Sequence, residues 1–132
     1  MEADAAAVAA WVADQLLEHC RRRAAAPAAA SPPLGLATGR TMEPVYAALA
    51  QRWWQLPEQQ RHGLQRSWCS YNLDDYVGLP AGDPRSFRAF MQQRLVEPLG
   101  LDPQAVRLPD GTAADPAVEA GRYGAELEAA GG

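Results

Sequence analysis

The chain contains no lysine, and all 12 of its basic residues are arginine. A reaction through a lysine Schiff base is therefore excluded within these 132 residues. Sixteen acidic residues outnumber the arginines and leave a net charge of −4. Because nucleic acids and membrane surfaces attract clustered positive charge, this balance predicts neither a nucleic-acid nor a membrane partner.

Cysteine is scarce as well, with only Cys20 and Cys69 in the chain. There is no Cys-x-x-Cys pair, and the two histidines, His19 and His62, stand apart, so we predict no metal site and no cofactor. No apolar run approaches the ~20 residues of a membrane helix. The acidic start, residues 1–4, is unlike a secretory signal. These features predict a cytoplasmic protein with free thiols.

The apolar spacing predicts alternating helices and strands. The first helix has an apolar stripe formed by Val8, Trp11, Val12, Leu16 and Cys20. We expect helices over about residues 4–25, 42–55, 83–98 and from 115 onward, strands over 34–37, 67–73 and 106–108, and a connection over 56–63. This order, α-β-α-β-α-β-α, favours an open, Rossmann-like parallel sheet with flanking helices, and one α/β domain over residues 1–132.

Three helix starts carry capping signals. Thr41 is the expected N-cap of the second helix, with Pro44 in its first turn. Asp83 and Asp115, each followed by proline, are the expected caps of the last two helices.

Two adjacent carboxylates, Asp74 and Asp75, follow the apolar second strand directly. In open α/β proteins, ligands bind beyond the carboxyl ends of the strands, which is where this pair is expected. A carboxylate on a short turn there can carry a proton in acid–base catalysis. The alternative from these residues alone is that the pair caps a turn.

A Thr-Gly-Arg-Thr loop, Thr38 to Thr41, connects the first strand to the second helix. Unpaired N–H groups and the helix dipole favour an anion at such a position, and glycine allows close approach of the backbone. Thr38 and Thr41 add hydroxyl donors and Arg40 adds a positive charge. The loop lacks the Gly-Lys-Ser/Thr of a nucleotide P-loop and the Gly-x-Gly-x-x-Gly fingerprint. It suits a single phosphate, although a capped turn is the commoner explanation of such a loop taken alone.

Both segments resemble one enzyme family. Residues 72–80, Asn-Leu-Asp-Asp-Tyr-Val-Gly-Leu-Pro, and residues 86–91, Ser-Phe-Arg-Ala-Phe-Met, are similar to the Asn-x-Asp-Glu-Tyr-x-Gly-Leu and Ser-Tyr-x-x-Phe-Met motifs of glucosamine-6-phosphate deaminases. Residues 34–41 and 44–46 resemble the family's Leu-Gly-Leu-Pro-Thr-Gly-Ser-Thr-Pro…Tyr phosphate loop. The likeness runs from about Leu34 to Gly132 and corresponds to the amino-terminal half of that family, which belongs to the 6-phosphogluconolactonase superfamily.

The resemblance implies an enzyme of amino-sugar metabolism that converts glucosamine 6-phosphate and water to fructose 6-phosphate and ammonia. It implies that Asp74 is the proton-transferring base and that residues 38–41 (Thr38, Gly39, Arg40 and Thr41) bind the phosphate of a small sugar phosphate. Asp75 stands where the family has glutamate, Arg40 where it has a small residue, and Met42 where it has proline. The ring-opening acid–histidine–acid set belongs to the family's second half, so residues 1–132 alone are expected to be inactive.

Two other functions remain open. A 6-phosphogluconolactonase-type hydrolase shares the Gly-x-Thr loop but usually has Asp-Glu-Arg where this chain has Asp74, Asp75 and Tyr76. A non-catalytic sugar-phosphate-binding module would keep the loop without the histidine set. The exact sugar is also open, as is a homo-oligomer of the complete protein.

Overall fold

Three short parallel strands form a sheet in the order β1-β2-β3. They are β1 (Leu34–Leu36), β2 (Ser70–Asn72) and β3 (Val106–Arg107). The computed structural model describes residues 2–25, 32–72, 83, 86–110 and 112–131. The predicted α/β class and three parallel strands are confirmed.

Five helices flank this sheet in the described part of the chain. They are α1 (Glu2–Ala25), α2 (Glu43–Trp54), α3 (Glu58–Ser67), α4 and α5 (Pro116–Ala129). Helix α4 is continuous and consists of Phe87–Met91, a π-helical turn at Gln92–Val96, and Glu97–Leu99. A 3₁₀ turn at Pro103–Ala105 leads into β3.

The register of the sheet divides its side chains between two faces. Leu36 is level with Asn72, and Tyr71 is level with Arg107. Since successive side chains of a strand point to opposite faces, Asn72 shares a face with Leu36, while Tyr71 and Arg107 lie on the other. The Leu36 face belongs to the main hydrophobic core, and the Tyr71 face contacts α5.

The predicted apolar stripe of α1 is only partly correct. Its buried residues are Ala9, Ala13, Leu17 and Cys20, with Val12 and Leu16 at the edge of the core. Val8 and Trp11 are 61% and 63% exposed, contrary to expectation. The small side chains of the alanine face allow α1 to pack closely on α2, an arrangement that a search for large apolar residues misses.

Helix α3 was not predicted, because the sequence at residues 56–63 favoured a connection with at most one turn. The segment is strongly polar and buries only Leu64 as a fully covered apolar residue, so it offers few apolar residues from which a helix could be recognised. The fold therefore has five helices rather than the predicted four. The strand expected over residues 67–73 is correspondingly shorter, since Ser67 is the last residue of α3.

The expected helix caps have mixed outcomes. The side chain of Asp115 caps α5 by accepting hydrogen bonds from the N–H groups of Ala117 and Val118. Helix α4 is capped by Ser86, whose Oγ accepts from the N–H of Ala89 at 3.0 Å, rather than by Asp83. Serine is as good an N-cap as aspartate, so composition alone did not decide between the two.

Two tryptophans pack together across the ends of α2 and α3. The rings of Trp53 and Trp68 meet edge to face with centroids 6.0 Å apart. Trp53 is buried in the core, whereas its neighbour Trp54 is exposed on the surface. Helix α3 lies between Trp53 and Trp68 in the sequence, so this contact closes the α2–α3 hairpin.

No helix in the described ranges combines the length and the apolar character needed to span a bilayer.

The close packing of α1 predicts that Ala13, which is fully buried, will not accept a larger side chain. Ala13→Leu should lower the free energy of unfolding by about 1–3 kcal/mol, because an overfilled core forces neighbouring side chains apart. Urea denaturation measures the change. The same substitution at exposed Ala6, on the same helix, should have little effect. Equal effects at both positions would contradict the packing described for α1.

Candidate functional site

The carboxyl ends of the three strands meet at one edge of the sheet. Thr38 follows β1 by two residues, Asp74 follows β2 by two residues, and Asp110 follows β3 by three. Because ligands of open parallel sheets bind at this edge, it is the candidate site. Asp74 and Asp75 lie outside the described residues, so the proximity of these carboxylates to the loop stays a prediction.

The Thr38–Thr41 loop lies between β1 and α2, as predicted. Gly39 has a φ of 109°, which a residue with a side chain rarely adopts. The carbonyl oxygen of Gly39 accepts a hydrogen bond from the N–H of Met42 at 3.0 Å and closes a turn just before the helix. Arg40 and Thr41 are exposed, and Thr38 is partly exposed, so these side chains are available to a ligand.

The start of α2 has no side-chain cap. The N-cap is Met42, with helical backbone angles, rather than Thr41 as predicted. The turn closed by Gly39 brings Met42 into helical geometry and leaves the Thr41 hydroxyl outside the capping position. Among the described residues, no group accepts a hydrogen bond from the N–H of Glu43 or Val45. Such unpaired donors, at the positive end of a helix dipole, favour an anion.

Two charges flank this helix start. Glu43 in the first turn forms an ion pair with Arg94 of α4, with 3.2 Å between Oε1 and the guanidinium nitrogen. Unpaired, the Glu43 carboxylate would repel a phosphate bound nearby. Arg94 offsets that repulsion, and Arg40 contributes a further positive charge within the loop itself.

Tyr46 fixes the start of the loop through a hydrogen bond to the backbone. Its hydroxyl group donates a hydrogen bond of 2.5 Å to the carbonyl oxygen of Ala37, the residue between β1 and Thr38. Tyr46 is buried, and burial raises the pKa of its hydroxyl group, which therefore stays protonated and able to donate. The sequence placed Tyr46 in the loop motif but did not reveal this contact.

Tyr123 plays the corresponding part for the other two strands. Its hydroxyl group lies 2.8 Å from the carbonyl oxygen of Asn72 and 3.0 Å from that of Arg107. The Tyr123 ring also packs edge to face against Tyr71, with centroids 5.6 Å apart. Sequence analysis could place Tyr123 on the inner side of the last helix by periodicity, but could not identify the strand ends that it joins.

Asn72 is the unexpected feature of this edge. It is 2% exposed, yet neither its Nδ2 nor its Oδ1 atom has a hydrogen-bond partner in the part of the chain that the structure describes. Each unpaired buried polar group costs about 1–3 kcal/mol. Sequence analysis placed Asn72 in a family motif but predicted no role for it.

Known proteins identify the family of this chain. The glucosamine-6-phosphate deaminase of Streptomyces coelicolor is 42% identical over 101 residues, which cover 75% of this chain and 36% of that enzyme. The glucosamine-6-phosphate deaminase of Porphyromonas gingivalis is 32% identical over 133 residues, or 100% of this chain and 48% of that enzyme. The chain belongs to the glucosamine-6-phosphate deaminase family. It spans between about a third and a half of the length of these relatives.

The fold agrees with this family. A solved structure of a monomeric glucosamine-6-phosphate deaminase, described as a missing link of the NagB superfamily, matches with a TM-score of 0.78 at 26% identity. The match covers 96% of this chain and 48% of that protein. No protein-family model matches the chain.

The histidines and cysteines of this deaminase-family chain do not form a reactive cluster. Within the described ranges, no group of three His, Cys, Asp or Glu residues could hold a metal ion. His19 Nε2 lies 3.0 Å from the carbonyl oxygen of Pro32, and His62 is exposed beside Glu58. Burial raises the pKa of the Cys20 thiol to about 12, so this thiol is protonated and unreactive at neutral pH.

An ionic network secures the segment after β3. Arg122 of α5 donates hydrogen bonds to Glu119, and Glu119 Oε1 accepts a further bond of 3.1 Å from the backbone N–H of Asp110. Arg122 also contacts Glu126, which pairs with Arg107 of β3 at 2.6 Å. The bond from Arg122, and then the bond from Asp110, lower the pKa of Glu119 to about 2. The carboxylate of Glu119 thus ties the third strand end to α5.

This network predicts a specific loss of stability in acid. The pKa of Glu119 is lower in the folded chain than its usual value of about 4.3, so its charge stabilises the fold above that value. The stabilisation disappears as the pH falls towards about 2. The melting temperature of Glu119→Gln should therefore lie below that of the wild type at pH of about 6, and the gap should close in acid.

Thermal melting followed by circular dichroism at a series of pH values measures this gap. Glu128→Gln is the matched control, because Glu128 is exposed on the same helix and takes no part in the network. A gap that stays constant over the whole pH series would mean that the charge of Glu119 has no role in holding the β3 loop.

Proposed function

We propose that the complete protein converts glucosamine 6-phosphate and water to fructose 6-phosphate and ammonia. The observation that carries this proposal is the position of the Thr38–Thr41 loop. In a chain of the deaminase family, the loop lies at the carboxyl edge of the parallel sheet and begins a helix with unpaired N–H groups. The chain spans less than half of the relatives named above, so their activity is extended to the complete protein as a proposal.

The first step of the proposed function is capture of the phosphate. The N–H groups of Glu43 and Val45, the Thr41 hydroxyl and the Arg40 guanidinium would supply donors and positive charge. The Tyr46–Ala37 hydrogen bond fixes the start of the loop before the substrate arrives, so less order is lost on binding. The Arg94–Glu43 pair supports this role by masking the nearby carboxylate.

The second step is proton transfer on the open-chain sugar. The aldose loses a proton at C2 and gains one at C1, and a single carboxylate on one face of the enediol-type intermediate can carry it. We assign this base to Asp74, two residues beyond the end of β2, with Asp75 in a secondary role. A short link to a strand fixed by Tyr123 would limit the movement of the base.

We also propose a reaction class, a partner, a cellular location and a domain assignment for the complete protein. The reaction combines isomerisation with hydrolytic removal of the amine, so the enzyme would be both a hydrolase and an isomerase in character. Its partner would be a small sugar phosphate. A cytoplasmic location is supported by the two free thiols, Cys20 and Cys69. We also propose that residues 1–132 form part of a larger deaminase domain.

Thr41→Val tests the phosphate loop in the complete protein. Because Met42 is the N-cap, the substitution removes a hydroxyl donor without removing a helix cap. A hydrogen bond to a charged ligand contributes ~1.5–3 kcal/mol, so binding of fructose 6-phosphate should weaken roughly ten- to a hundredfold. Isothermal titration calorimetry measures this affinity. Binding of neutral fructose should be unaffected, and equal weakening of both ligands would place the phosphate elsewhere.

Asp74→Asn tests the proposed reaction itself. The variant keeps the size of the side chain but cannot accept the C2 proton, so ammonia release from glucosamine 6-phosphate should fall by about 10²–10⁴-fold. Affinity for fructose 6-phosphate should change little. Asp75→Asn is the matched control and should lose less activity. Residues 1–132 alone should release no ammonia.

Solvent-deuterium incorporation at C1 and C2 of the sugar follows the proton directly. Exchange at the wild-type rate in Asp74→Asn would show that another residue is the base. If the complete wild-type protein releases no ammonia but hydrolyses 6-phosphogluconolactone, the lactonase alternative replaces the deaminase proposal. Sugar-phosphate binding without either reaction would instead indicate a non-catalytic binding module.

A further inference from the structure

We propose that the side-chain amide of Asn72 binds a hydroxyl group of the sugar chain when the sugar phosphate occupies the site. This inference rests on the proposed function and adds to it a substrate-contacting residue. The observation behind it is that both polar atoms of a fully covered amide lack partners within the described part of the chain.

The position of Asn72 fits a ligand that extends from the phosphate loop. Asn72 is the last residue of the central strand and is level with Leu36 of the neighbouring strand. Thr38 lies two residues further along, or about 7 Å in the strand direction. A sugar chain with its phosphate at Thr38–Thr41 could therefore reach the end of β2 next to it.

The described neighbours of Asn72 offer its amide no hydrogen-bonding group. Leu36 lies beside it on β1, and Leu108 follows the Tyr71–Arg107 pair on β3, so the side chains at its level are aliphatic. The backbone carbonyl of Asn72 is held separately by Tyr123. The end of β2 is therefore held without a contribution from the Asn72 side-chain amide, and no hydrogen bond of the amide stabilises the described part of the fold.

Ser70 is a second buried polar residue of β2, and its side chain forms a hydrogen bond within the protein. Ser70 lies on the same face of β2, two residues earlier, and is fully buried. Its Oγ accepts a hydrogen bond of 2.9 Å from Nε1 of Trp68. Ser70 thus has a partner among the described residues and Asn72 has none, and this contrast points to a partner from outside the protein for Asn72.

The chemistry of an amide matches a hydroxyl group better than a phosphate. Asn72 offers one acceptor and two donor hydrogens, and a hydroxyl group both donates and accepts. A phosphate could use the donors only. The amide is neutral, so it can orient the sugar beside a catalytic carboxylate without competing for the proton.

Asn72→Leu in the complete protein tests the inference by two independent readouts. Leucine has a similar size and needs no partner, so the ligand-free melting temperature should rise by a few degrees. The affinity for fructose 6-phosphate should fall at least tenfold, because one sugar contact is lost. The affinity for inorganic phosphate should stay unchanged, since the phosphate contacts remain.

Ser70→Ala is the matched control. It removes the partner of Trp68 Nε1, so the melting temperature should fall while fructose 6-phosphate binds as in the wild type. A lower melting temperature in Asn72→Leu with unchanged sugar-phosphate affinity would overturn the inference and assign Asn72 to the fold. Failure of the wild-type protein to bind any sugar phosphate would instead overturn the proposed function, and the inference with it.

Discussion

The parallel register of three very short strands is the constraint on which the rest of the structure depends. Leu34, Ser70 and Val106 are level across the sheet, so the carboxyl ends of all three strands lie at the same edge. Strands of two or three residues form few hydrogen bonds between them. Two helix side chains add support at the strand ends, because the hydroxyl groups of Tyr46 and Tyr123 contact backbone carbonyl oxygens there.

The same edge brings together three features that are unfavourable for folding alone. Helix α2 begins without a side-chain cap, and Gly39 has a backbone conformation that other residues avoid. The buried amide of Asn72 has no partner among the residues that the structure describes. Helices α4 and α5, by contrast, have side-chain caps from Ser86 and Asp115. Local departures from favourable folding at one place are typical of binding sites, where a ligand supplies the missing contacts.

Much of the fold was predictable, because it depends on local sequence patterns, such as helical spacing of apolar residues, whose meaning does not depend on tertiary contacts. Val45, Leu49 and Trp53 recur at helical spacing and are all buried in α2. The α/β alternation gave the parallel sheet. The loop between β1 and α2 also followed from local glycine and threonine chemistry. The resemblance to the deaminase family, which rested on residues 34–46, 72–80 and 86–91, is confirmed.

The errors have a common physical origin in tertiary packing. Alanine carries little signal about burial, so the true inner face of α1 was missed in favour of the larger Val8 and Trp11. Helix α3 is so polar that only Leu64 of its residues is buried, and one buried apolar residue is too little to predict a helix. The contacts of Tyr46 and Tyr123 do not follow from the sequence, nor does the burial of the Asn72 amide, because each depends on which strand ends and side chains meet in space.

The paired rings of Trp53 and Trp68 have a practical consequence. Two indoles held edge to face at 6.0 Å couple their electronic transitions, and this coupling depends on their mutual orientation. They lie on either side of α3, so separating α3 from α2 would abolish the coupling. Near-ultraviolet circular dichroism of this pair would therefore act as a built-in optical reporter of the part of the molecule where the sequence signal is weakest.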